Sequence, residues 1–81
     1  MKILLVEDDP TTADFIARGL REDGHSIDHL SNGRDGLVQA IDGSYDVSIV
    51  DRMLPGLDGL SLVRAVRAAG VPTPIIFLTA V

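Results

Sequence analysis

Cysteine is absent from the 81 residues. That excludes a disulfide scaffold and a thiolate metal site, and it fits a reducing compartment. Lysine is scarce as well: Lys2 is the only one, and arginine fills the other basic positions. Seven basic residues face 12 acidic ones, for a formal net charge of −5. Phosphate backbones demand a basic face, so this segment is not expected to contact nucleic acid directly. No apolar run approaches the length of a membrane span, and the opening Met1-Lys2-Ile3-Leu4-Leu5-Val6 is too short for a signal-peptide core and meets acids at once. There is no internal repeat, low-complexity tract or interdomain linker. The chain holds no G-x-x-x-x-G-K loop and no G-x-G-x-x-G after its first apolar run, the glycine patterns that cradle nucleotide phosphates. A D-x-D phosphatase motif is not matched either, because Asp8-Asp9-Pro10 lacks the second spaced acid.

What is present reads as one soluble, cytoplasmic α/β domain over residues 1–81, with 46% hydrophobic residues. Ile3-Leu4-Leu5-Val6 and Val47-Ser48-Ile49-Val50 are short, nearly continuous apolar runs, as in strands buried on both faces. Asp9-Pro10 predicts a helix N-cap followed by proline at the first helical position. Phe15, Ile16, Gly19 and Leu20 are expected to form that helix's buried stripe, and Gly24 to end it. His25 to Leu30 is extended but polar, which suits an edge strand with surface histidines at 25 and 29. Ser31-Asn32-Gly33 reads as a turn. A second helix follows, marked by Leu37, Ala40 and Ile41 and stopped by Gly43, with Asp35 and Asp46 solvated. Asp58 is expected to cap a third helix marked by Leu62, Val63 and Val66, which Gly70 ends. Ile75 to Leu78 is the last strand.

Such βαβαβαβ alternation implies a parallel sheet. The polar second strand belongs outermost beside the first, which gives the flavodoxin-like order 2-1-3-4. Open sheets of this kind bind ligands at the carboxyl ends of their strands, at the switch point between strands one and three. Glu7 and Asp8 follow the first strand, Asp51 ends the second buried one, and Thr79 follows the last. Converging carboxylates need a cation, and hard oxygen ligands suit Mg²⁺. The plainer alternative is a solvated acidic turn serving the following helix, a role assigned here to Asp9.

Three segments, Ile3-Leu4-Leu5-Val6-Glu7-Asp8-Asp9, Asp46 to Gly59 and Pro74 to Ala80, occur in the order and spacing of a known family. Through them the chain resembles the receiver domain of bacterial two-component response regulators, with a CheY-like sheet. Arg52-Met53-Leu54-Pro55-Gly56-Leu57-Asp58-Gly59-Leu60 is similar to the loop of OmpR/PhoB-type regulators, whose receivers precede a winged-helix DNA-binding domain.

The resemblance implies a phosphoacceptor switch rather than a classical enzyme, with a histidine kinase as partner. Asp51 would accept the phosphoryl group. Asp8 would ligate Mg²⁺ directly and Glu7 through water, with the Met53 backbone carbonyl as a further ligand. Thr79 would hydrogen-bond the phosphoryl group and reorient, and the Ala80 N–H would help hold an oxygen. The family's fifth strand, with its lysine and switch aromatic, and its last two helices are not in this sequence. The strand-four edge is therefore expected to be exposed and prone to self-association. The expected reasons, in order, are an ordered part of a longer chain, a deliberate fragment, or a truncated product paired with a second copy. The competing function is a binding or dimerisation module that works without phosphorylation.

Overall fold

The computed structural model describes residues 1–79. Four parallel strands and three helices alternate: β1 (Lys2–Val6), α1 (Pro10–Glu22), β2 (Ser26–Leu30), α2 (Gly33–Asp42), β3 (Val47–Asp51), α3 (Gly59–Ala68) and β4 (Ile75–Leu78). The strand order is β2-β1-β3-β4, the doubly wound arrangement expected from the polarity of β2. Ala80 lies outside the described residues.

The central strand explains the layering. Side chains alternate across a strand, so the continuous apolar run of β1 feeds two cores at once. Leu4 and Val6 point into one cluster with Val50, Ala40, Tyr45, Leu62 and Val66, under α2 and α3. Ile3 and Leu5 point into another with Ile27, Ala13 and Ala17, under α1. Leu4, Leu5, Val6 and Val50 are wholly buried. Each such side chain contributes roughly 1.5–3 kcal/mol relative to leaving it in water.

The helix caps follow the sequence pattern. Asp9 accepts the Thr12 N–H, Asn32 accepts the Asp35 N–H, and Asp58 accepts the Ser61 N–H. Asn32 is thus a cap, and Gly33 begins α2 rather than closing a turn. Gly24 and Gly70 sit at φ 89 and φ 80, past the ends of α1 and α3, where a side chain would be strained.

The buried stripe of α1 is only in part the expected one: Ile16 and Leu20 pack against the core, half-buried, but Phe15 and Gly19 do not. Ala13 and Ala17 are its buried residues, while Phe15 is 80% exposed. Small side chains let α1 lie close to the sheet. Phe15 and Gly19 instead line an open apolar groove with Ile49, Ile76 and Leu78.

Asp46 and Asp35 are exposed, as expected, and each also makes hydrogen bonds. The Asp46 carboxylate accepts the Lys2 N–H at 2.7 Å, while the Asp46 N–H donates to the Lys2 carbonyl at 2.8 Å. That pair fixes where β1 and β3 begin their ladder. Asp35 accepts from the Asn32 side-chain amide at 2.8 Å. Tyr45 closes the same end of the sheet. Its hydroxyl donates to Asp28 at 2.6 Å and accepts from Gln39 at 2.8 Å, and the Lys2 ammonium stands 4.9 Å from its ring centre.

Candidate metal and phosphoacceptor site

Register brings the acids together. Val6 is paired with Val50, so the next residues along, Glu7 and Asp51, are neighbours at the carboxyl edge. The Glu7 N–H donates to the Leu30 carbonyl at 3.0 Å, and the Arg52 N–H donates to the Leu78 carbonyl at 3.2 Å. Both chains are therefore held where they leave the sheet. Glu7, Asp8 and Asp51 each offer a carboxylate oxygen within 4.8 Å of the others. Glu7 is buried, Asp51 half-buried and Asp8 exposed.

The other acids nearby are engaged elsewhere. Asp9 accepts from the Thr12 N–H and hydroxyl, contacts that hold its carboxyl below the usual range. The Ser61 N–H and hydroxyl do the same for Asp58. Capping thus separates Asp9 and Asp58 from the cluster.

Asp51 is set by its own loop. Its Oδ1 accepts the Met53 N–H at 3.1 Å, a two-residue turn that aims one carboxylate oxygen back along the chain. Gly59 sits against this turn: a Cβ there would run into the Asp51 carbonyl and lie 3.0 Å from the Arg52 Cα. The Asp58-Gly59 pair therefore caps α3 and lets its first turn press close to Asp51. The Met53 side chain is exposed. Thr79 follows Leu78, the register partner of Asp51, which places it at the same edge, exposed.

Glu7 feels this crowding most. Burial first, then its hydrogen bond with Asp51, the Asp51 charge and a hydrogen bond with Asp8, push its carboxyl up to about 7 from 4.5, against a lowering contact with the Asp9 N–H. The native state thus keeps a proton that the unfolded chain has released between pH 4.5 and about 7. Stability of metal-free protein therefore falls as pH rises through that window. Thermal unfolding in chelator will show a lower Tm at about pH 8 than at about pH 5, and Glu7→Gln will flatten the difference. An unchanged slope in Glu7→Gln would assign the effect to another group.

The donor set fits a hard divalent cation. Three carboxylates supply only oxygen, at a separation that one small ion spans, with Asp8 open to solvent for the waters Mg²⁺ retains. Glu7 and Asp51 come from the sheet edge and Asp8 from the turn beside them.

Two features were not legible in the sequence. One is the Tyr45–Asp28–Gln39 network. The other is His29, whose Nε2 lies 2.7 Å from the Glu7 carbonyl. Both join residues far apart in the chain and depend on register.

Comparison with known proteins agrees with this geometry. The family model described as "Response regulator receiver domain" matches residues 3–81. Transcriptional regulatory protein PcoR of Escherichia coli is 47% identical over 79 residues, covering 98% of this chain and 35% of its own length. Transcriptional regulatory protein DltR of Streptococcus agalactiae is 46% identical over 80 residues, covering 99% of this chain and 36% of its own. The chain thus spans about a third of these curated relatives. Among solved structures, the receiver domain of Francisella response regulator 1452 superposes with a TM-score of 0.94 at 35% identity, covering 99% of this chain and 66% of that one. The receiver domain of sensor histidine kinase PA1611 from Pseudomonas aeruginosa, solved with a magnesium ion coordinated in its active site cleft, gives 0.92 at 40% identity, covering 98% and 66%.

Proposed function

The chain belongs to the response regulator receiver family, and we propose that it is a phosphoacceptor switch in which Asp51 takes a phosphoryl group from a phosphohistidine of a histidine kinase. The observation that carries this reading is the convergence of Glu7, Asp8 and Asp51 at the switch point of the sheet.

An Asp51 carboxylate oxygen attacks phosphorus in line with the departing imidazole. The P–O bond forms as the P–N bond breaks, and the imidazole leaves with the electron pair and gains a proton. Such transfer needs positioning and charge neutralisation more than covalent help. Mg²⁺, held by Asp8 and Asp51 and through water by Glu7, with the Met53 carbonyl as a further ligand, would offset the repulsion between the two anions. The Met53 N–H holds Asp51 Oδ1 and so orients the carboxylate for attack. The Thr79 hydroxyl is assigned to donate to a new phosphoryl oxygen, and the Ala80 N–H is assigned a supporting contact of the same kind.

The curated relatives are transcriptional regulators. We assign the same output to this protein, through an effector domain rather than through nucleic-acid contact by this acidic segment. The direct test is intact mass after incubation with Mg²⁺ and a small phosphodonor such as acetyl phosphate. One added phosphoryl group, dependent on Mg²⁺ and mapped to Asp51, supports the proposal; no gain with a competent donor refutes it.

Thr79→Ala is expected to leave phosphoryl uptake within about tenfold while uncoupling it from output, because the hydroxyl is worth about one hydrogen bond to the product. Normal phosphorylation-dependent output in that variant would remove Thr79 from the switch.

One observation favours a second reading. The outer edge of β4 is unpaired among the described residues, and Ile76 on it is 55% exposed. A binding module that self-associates along this edge would pair strands without phosphoryl chemistry. Asp51→Asn separates the two, since association of that kind survives it.

A further inference from the structure

Glu7 stands one residue past β1, yet both polar atoms of its main chain are held from β2. Its N–H donates to the Leu30 carbonyl at 3.0 Å. Its carbonyl lies 2.7 Å from His29 Nε2. A carbonyl can only accept, so the imidazole carries its proton on Nε2. The neutral Nε2–H tautomer and the imidazolium both donate there, so the contact does not depend on the ring's charge.

The carbonyl belongs to the peptide unit that joins Glu7 to Asp8. That unit is planar, so fixing the direction of its carbonyl also fixes the Asp8 N–H and limits rotation about the bonds on either side. Those rotations are the ones that would swing the Glu7 and Asp8 carboxylates away from Asp51. Past this point the chain leaves the ladder, since β1 and β2 pair only as far as Val6 and Leu30. The imidazole therefore extends the hold of β2 onto the first peptide beyond the sheet, at the residues that supply two of the three carboxylates.

We propose that His29 is a positioning residue for the Mg²⁺ site, acting through the Glu7–Asp8 peptide rather than by touching the ion. The inference rests on the Mg²⁺ reading above. It gives a role to an exposed histidine on an edge strand.

The test is Mg²⁺ titration of the intact protein, wild type against His29→Phe, His29→Gln and Asp8→Ala, well below each variant's Tm. Phenylalanine keeps a ring of similar shape without a donor. Glutamine places an N–H about as far along the side chain as Nε2. His29→Phe is expected to weaken Mg²⁺ binding about threefold to tenfold, the worth of one hydrogen bond, and His29→Gln to return to within about twofold of wild type. Wild-type affinity in His29→Phe overturns the proposal. So does a His29→Gln variant as weak as His29→Phe, which would make ring packing the cause. A lower Tm in chelator with unchanged Mg²⁺ affinity marks a purely structural contact and also overturns it. If wild type binds no better than Asp8→Ala, the Mg²⁺ reading itself falls, a result distinct from the others.

Discussion

Asp51→Asn is expected to leave the domain folded and to lower phosphoryl uptake by at least about a thousandfold, some 4 kcal/mol in barrier. The substitution is nearly isosteric. The amide oxygen can still accept the Met53 N–H that now reaches Asp51 Oδ1 at 3.1 Å. What disappears is the anionic oxygen that attacks phosphorus, and a neutral amide is a poor substitute. Folding should tolerate the change because Asp51 is one of three crowded carboxylates, and removing a charge relieves the others. Glu7 supplies an internal check: its hydrogen bond with Asp51 and the Asp51 charge both raise its carboxyl. Its titration in Asp51→Asn should therefore move below about 7, though not to the free value, since burial is the largest cause and remains. Intact mass with a small phosphodonor gives the first readout, and side-chain carboxyl NMR the second. Undiminished phosphoryl uptake in Asp51→Asn would place the acceptor elsewhere.

The sheet order and the acid cluster were legible because each rests on strong local signals. β1 is continuous apolar sequence between Lys2 and Glu7, which only a central strand buried on both faces accommodates, and Leu4 and Leu5 do enter opposite cores. Asp28 and His29 break the pattern in β2 and send it to the edge. Once those two strands are placed, the switch point and its acids follow. The face of α1 was legible only in part: Ile16 and Leu20 do pack against the core, half-buried. Phe15 is the largest apolar residue of that helix, but Ala13 and Ala17 face the sheet. Hydrophobicity names the stripe that wants burial; close packing prefers small residues where a helix meets a sheet. The polar contacts of Tyr45 with Asp28 and of His29 with Glu7 span 17 and 22 residues of chain. No local pattern encodes such pairs, because strand register creates them.

Asp8→Ala is expected to weaken Mg²⁺ binding at least about tenfold without lowering the stability of the metal-free protein. The two effects have opposite electrostatic origins. In the presence of the ion, Asp8 is the most solvent-exposed of the three carboxylates and the one able to meet a hydrated cation with least desolvation. Without the ion it only adds to repulsion. Unit charges about 4 Å apart cost about 1 kcal/mol in water and about 4 at the effective dielectric near a protein surface. Its side-chain hydrogen bond also helps keep a proton on Glu7. Removing it should therefore let Glu7 ionise at lower pH and leave Tm in chelator unchanged or higher. The expected pattern is a site maintained at a cost to the fold, as a metal or phosphoryl site requires, rather than an acidic turn that stabilises the start of α1. An acidic turn predicts the reverse, since Asp8 near a helix N-terminus would then contribute a few tenths of a kcal/mol to about 1. Calorimetric Mg²⁺ titration paired with thermal unfolding in chelator decides between them. Undiminished affinity together with a lower Tm in Asp8→Ala would reduce the cluster to a helix-start feature and remove the cation from the proposed switch.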